Sequence, residues 1–126
     1  MRNTNHNFNN PYLIMNISCA YRFFESFMKA AAQKALNAGR IAEAGELYKT
    51  ASGIAASRKT LTETGRADTA EVMDILNHLL TLKNAEVYYL ALNMDQTGTN
   101  YQTFIRATEK TKKYLENVSK GIKKTA

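Results

Sequence analysis

Proline occurs once in this chain of 126 residues, at Pro11, ahead of every periodic apolar segment. Of the six glycines, Gly39, Gly65 and Gly98 fall where helical periodicity breaks. A long run without proline, rich in alanine and punctuated in this way, reads as all-α. The length fits one domain with a modest core.

The punctuation predicts four helices. Asn10-Pro11 supplies an N-cap residue followed by proline at the first helical position, where its missing N–H is not needed. The first helix is expected over 11–38, crowded with Tyr12, Tyr21, Phe23, Phe24 and Phe27 and closed by Gly39 in the left-handed position. A second helix, 41–62, follows almost without a loop and carries Ile41, Ala44, Leu47, Tyr48, Ala51, Ile54, Ala55 and Leu61 on one side. So tight a connection makes the two antiparallel neighbours, and their small residues permit close approach. The third helix, 68–95, opens on Asp68 and Glu71, acids that favour a helix start. The fourth, 99–123, opens on Thr99 and Gln102 and repeats every seven residues through Tyr101, Phe104, Thr108, Thr111, Leu115, Val118 and Ile122. The expected architecture is an antiparallel four-helix bundle spanning 11–126. Residues 1–10, half of them asparagine, form an expected flexible segment that buries too little apolar surface to order itself.

Charge is uneven. From Arg106 onward seven basic residues face only Glu109 and Glu116, so +5 of the chain's net +6 lies in that last segment. Clustered lysines could neutralise phosphates, which makes a basic nucleic-acid-binding bundle one alternative. A single arginine there and no exposed aromatic beyond Tyr114 disfavour it against a plain solvated face.

Residues suited to catalysis or metal binding are scarce. Cys19 is alone and reads as a small buried hydrophobe. His6 lies in the N-terminal segment, and His78 has neither a histidine four residues on nor a Glu-x-x-His pattern. There is no glycine-rich phosphate loop and no nucleophile beside a plausible base. No enzymatic activity, cofactor or metal is expected. No apolar run approaches the ~20 residues of a membrane span, and no secretory signal is visible, so the expected compartment is the cytoplasm without membrane insertion.

One feature does point to binding. Between Val72 and Met94, Met73, Leu76, Leu80, Val87, Leu90 and Met94 form one stripe, and Val72, Ile75, Leu79, Leu82 and Tyr89 form a second beside it. A surface helix ordinarily shows one such stripe. The excess predicts either a groove for a partner's amphipathic helix or a homodimer face, as in a structural helical adaptor. Ile75, Leu79 and Leu82, with Ile54 opposite, are the expected client contacts, each holding about 1.5–3 kcal/mol of burial in reserve. Phe8 is the expected residue of an N-terminal cover over that groove. Either a monomer or a homodimer fits this pattern.

The order of features resembles the FliS family of flagellin export chaperones. In that family a proline is shortly followed by Leu-Ile-x-Leu-Tyr-Asp-Gly-Ala and then Arg-Phe-Leu. Here Pro11 precedes Leu13, Ile14, Ala20, Arg22 and Phe23, with Ile17-Ser18-Cys19 in place of Tyr-Asp-Gly. Ala38-Gly39-Arg40-Ile41 looks like the family's Ala-Gly-Asp-Ile turn, and Ala51 and Ile54 look like its Lys-Ala-x-x-Ile-Ile segment. Leu90-Ala91-Leu92-Asn93-Met94 is similar to the Leu-Leu-x-Ala-Asn-Leu that ends the family's third helix. The family's double glycine before that helix is reduced to Gly65. The resemblance implies a cytoplasmic chaperone that binds the disordered C-terminal segment of flagellin, prevents its premature polymerisation and delivers it to the export apparatus. The implied partners are that segment and a component of the export gate.

Overall fold

A computed structural model describes residues 5–81 and 101–119. Strand β1 (Asn5–Asn7) precedes helices α1 (Pro11–Asn37) and α2 (Ile41–Thr64). Strand β2 (Arg66–Asp68) then leads into α3 (Thr69–Thr81), and α4 covers Tyr101–Ser119. The protein is an all-α bundle, to which one small strand pair is attached. The expected continuation of the third helix, with Leu82 and residues 90–94, lies outside the described residues, as does Thr99.

Local chemistry sets the helix ends. The Asn10 side chain accepts from the backbone N–H groups of Tyr12 and Leu13 at 2.9 and 3.3 Å, with Pro11 at the first turn. Gly39 adopts φ +79°, so that its N–H reaches Leu36 O at 3.0 Å while Arg40 N–H reaches Ala35 O at 2.9 Å. That pair of bonds closes a Schellman motif and reverses the chain within three residues. At the start of α3, Asp68 accepts from Ala70 N–H at 3.0 Å.

The reversal lays α1 antiparallel against α2 along an extensive interface. Towards the turn the facing side chains are small, Ala32 and Ala35 against Ala44 and Ala51, all buried. Farther from the turn the interior fills with larger groups: Ile17, Tyr21, Phe23, Ile54 and Leu61, joined by Val72, Ile75, Leu76 and Leu79 of α3 and Leu115 of α4. Thr108 and Thr111 are buried on the α4 seam, and the Thr111 hydroxyl satisfies itself on Ala107 O at 2.7 Å. Glu25 of α1 ties the hairpin from outside, contacting Arg58 of α2 at 3.4 Å and Lys29 at 2.9 Å. Two residues expected on the inner side of α2 face outward: Ile41 is 71% exposed, and Tyr48 lies at the surface with its hydroxyl on Gln33 Oε1 at 3.3 Å.

The N-terminal expectation needs correction. Residues 5–7, read as part of a flexible segment, pair antiparallel with β2 in the register Asn5↔Asp68, His6↔Ala67 and Asn7↔Arg66. Phe8 N–H continues the ladder to Gly65 O at 2.7 Å, and the Phe8 ring is buried in the core cluster. Composition weighed only what this segment could bury by itself. The bundle supplies both an unpaired backbone edge and an apolar slot.

Because Leu79 is fully enclosed, Leu79→Ala should lower unfolding free energy by about 2–5 kcal/mol in urea titration monitored by circular dichroism.

Candidate functional site

The described part of the second stripe, Val72, Ile75 and Leu79, is buried. Ile75 and Leu79 are 3% and 1% exposed, and Ile54, their expected partner on α2, is 6% exposed. All three belong to the interior of the monomer, so their assignment as surface contacts for a client is corrected here. Leu82 lies outside the described residues. The physical reason is the number of neighbours. Helix α3 contacts α1, α4 and β2, so Val72, Ile75, Leu76 and Leu79 from both stripes turn inward. Met73 and Leu80 keep partial exposure. Periodicity identifies an apolar side but not how many elements will cover it.

Phe8, expected as a cover, is itself part of that interior. It is 7% exposed and closes the same buried cluster that contains Ile54, Ile75 and Leu79. The contacts that hold this strap include three residue pairs of β1–β2, the Phe8–Gly65 hydrogen bond and one aromatic ring. Gly65 makes the approach possible. It has φ +74°, and a Cβ at that position would lie 2.8 Å from Phe8 O and 3.2 Å from Asn7 Oδ1. The glycine was legible as a helix terminator; its second use, admitting the strap, was not.

On the other side of β2 a cleft of about 420 Å³ opens between α2 and α3. Its floor is Tyr21, whose hydroxyl donates to Glu71 Oε1 at 3.0 Å. Burial is the main reason the Tyr21 phenol is held far above its ordinary value of 10.0, and the negative charge of Glu71 adds to it. Sequence reading placed Tyr21 among the core aromatics and Glu71 at a helix start. Nothing local indicated that they meet.

The remaining candidates are structural. Burial raises the Cys19 thiol, with Arg22 opposing, which keeps it protonated near neutrality and a poor nucleophile. His78 is exposed and rests against the edges of Phe24 and Phe27, with ring centroids 5.1 and 5.6 Å away. Among the described residues no group of three or more His, Cys, Asp or Glu side chains is placed to hold a metal ion. Nor is any helix there long and apolar enough to cross a membrane. Large apolar side chains do remain at the surface. Tyr12 and Met15, on the first turns of α1 after the strap, are 75% and 59% exposed.

No protein-family model matches this chain, and no curated protein or solved structure matches it.

Two outcomes follow from this geometry. Gly65→Ala should cost about 1–3 kcal/mol and speed amide exchange at Phe8, because it combines a left-handed backbone with a clash against the strap. Gly39→Ala, with an equivalent φ but open space, should cost less and leave Phe8 exchange unchanged. Stability should also fall as pH rises above about 10. There the unfolded chain releases the Tyr21 proton while the folded chain retains it. Tyr21→Phe should flatten that dependence in alkaline melting curves.

Proposed function

We propose that this protein is an export chaperone that binds the disordered C-terminal segment of flagellin, keeps it from polymerising prematurely and hands it to the export apparatus. The observation that carries this reading is the strap: an asparagine-rich segment seated on a two-stranded edge, with Phe8 closing the apolar interior. A client segment with an apolar side chain at the matching position can replace it by the same backbone pairing. The order of motifs along the chain supports the reading independently. Tyr12 and Met15 extend the available apolar surface beyond the strap. The client contacts are accordingly placed at the edge of β2 and the slot under Phe8, rather than on an open face of α3. The export-gate component and the cytoplasmic setting belong to the same proposal.

Competition sets the magnitude. Burying one phenylalanine is worth about 1.5–3 kcal/mol. A strap held by that term alone would weaken apparent client affinity by at most about 10–150-fold. A modest lock of this kind suits a surface that must stay covered when empty and open on demand.

Pinning the strap tests the reading. Asn7 and Arg66 face each other across the strand pair and both are exposed, so N7C/R66C in a Cys19→Ser background should form a cross-strand disulfide. By calorimetry with a flagellin C-terminal peptide, the oxidised protein should bind at least about tenfold more weakly than its reduced form. Equal affinity in the two forms would remove the slot from the binding site. Absence of binding in both would refute the chaperone reading.

A further inference from the structure

The outward side of α4 carries a pattern that neither the strap nor the core uses. Thr108, Thr111 and Leu115 are buried on the seam of α4, which packs against α1 and α3. At about 100° per residue, Arg106, Lys110 and Lys113 fall on the opposite side, within about 60° of one another. All three are exposed. They follow one another at steps of four and three residues, and in sequence the same steps pass through Asn117 to Lys120 and Lys124. The acids of α4 avoid this file. Glu109 and Glu116 share one flank, and the exposed Tyr114 takes the other. Glu109 stands four residues before Lys113, the order that favours a pair along a helix. Yet the ion pairs among the described residues all lie on the α1–α2 hairpin. The three cations therefore stand in single file without a carboxylate of the described chain to neutralise them. A face that only kept the bundle soluble has no need of such sorting, since interspersed signs serve as well.

We propose that this ridge docks an acidic α-helix of a partner protein, whose Asp or Glu side chains recur at the same three- and four-residue steps. Charge complementarity carries the choice of partner. Two helices lying side by side share a rise of about 1.5 Å per residue, so a carboxylate can stand opposite each cation along the ~10 Å from Arg106 to Lys113. A basic side chain on the partner's flank meets Glu109 and Glu116 and fixes the register. A nucleic acid fits less well. Its phosphates line both sides of a groove about 12 Å wide, so a helix seated there needs cations on both flanks. Here one flank carries two glutamates and the other a tyrosine. Occupation of the ridge depends on neither the strap nor the client proposed above.

The experiment uses the full chain and a fluorescent helical peptide of about 20 residues. The peptide carries Glu on one face at three- and four-residue steps, Lys along one flank and Ala elsewhere. Anisotropy at low ionic strength should show saturable binding, about tenfold or more tighter than for a peptide of the same composition with scrambled Glu positions. Combining Arg106→Gln, Lys110→Gln and Lys113→Gln should weaken binding about tenfold or more. Removing equal charge elsewhere, with Lys34→Gln, Lys49→Gln and Lys59→Gln, should change it less than about twofold. All of these side chains are exposed, so both variants should keep the circular dichroism spectrum of the parent. Arg106→Glu, Lys110→Glu and Lys113→Glu together should lose this peptide and gain the counterpart in which Lys and Glu are exchanged. Equal affinity for ordered and scrambled peptides, or equal losses in the two glutamine variants, would overturn the proposal. So would absence of saturable binding, or tighter binding of duplex DNA through the same three residues.

Discussion

The close antiparallel contact between α1 and α2 is the constraint on which the other elements depend. It is narrow near the turn, where Ala32, Ala35, Ala44 and Ala51 meet, and wide at the other end, where Ile17, Tyr21, Phe23 and Leu61 face inward. Two helices cannot enclose such bulky groups alone. The wide end therefore recruits α3, Leu115 of α4 and finally the Phe8 ring. Packing there buries Val72, Ile75, Leu76 and Leu79 of α3, while Asp74, Asn77 and His78 stay at the surface. The apolar side chains Val72, Ile75, Leu76 and Leu79 of α3 are accordingly spent on the protein's own interior.

The segment between Thr64 and Thr69 joins α2 to α3 through the strand pair. Gly65 ends α2 in a left-handed turn, β2 runs extended for three residues, and Asp68 caps the next helix. One side of β2 receives the N-terminal strap and the other lines the Tyr21–Glu71 cleft. A short extended piece between two helices thus borders two places of different chemistry, one of backbone edge and aromatic ring, the other of polar side chains around Tyr21 and Glu71.

Much of the architecture was legible from residues close together in the chain. Asn10 followed by Pro11 announced the start of α1, and Gly39 its end; the α1–α2 turn was read in place. The seven-residue seam of α4 holds at Thr108, Thr111 and Leu115. The candidate site was read less well. Phe8, expected over a groove, lies in the core, its neighbours Asn5–Asn7 form a strand, and Ile54, Ile75 and Leu79 were expected at a surface they do not reach. The errors share one cause. Whether an apolar stripe is exposed, and whether a polar segment finds an edge to pair with, depends on elements distant in sequence.

The sequence by itself determined that this chain is helical, where α1 and α2 begin and end and where α3 starts, and that positive charge gathers from Arg106 onward. These follow from capping, propensity and composition, which act within a few residues. Only the tertiary structure decided that α3 is enclosed, that an asparagine-rich segment becomes a strand on β2, and that Tyr21 meets Glu71 beneath a cleft. Burial and pairing are properties of surfaces brought together, and a single helix's pattern shows which side is apolar without showing what will lie against it.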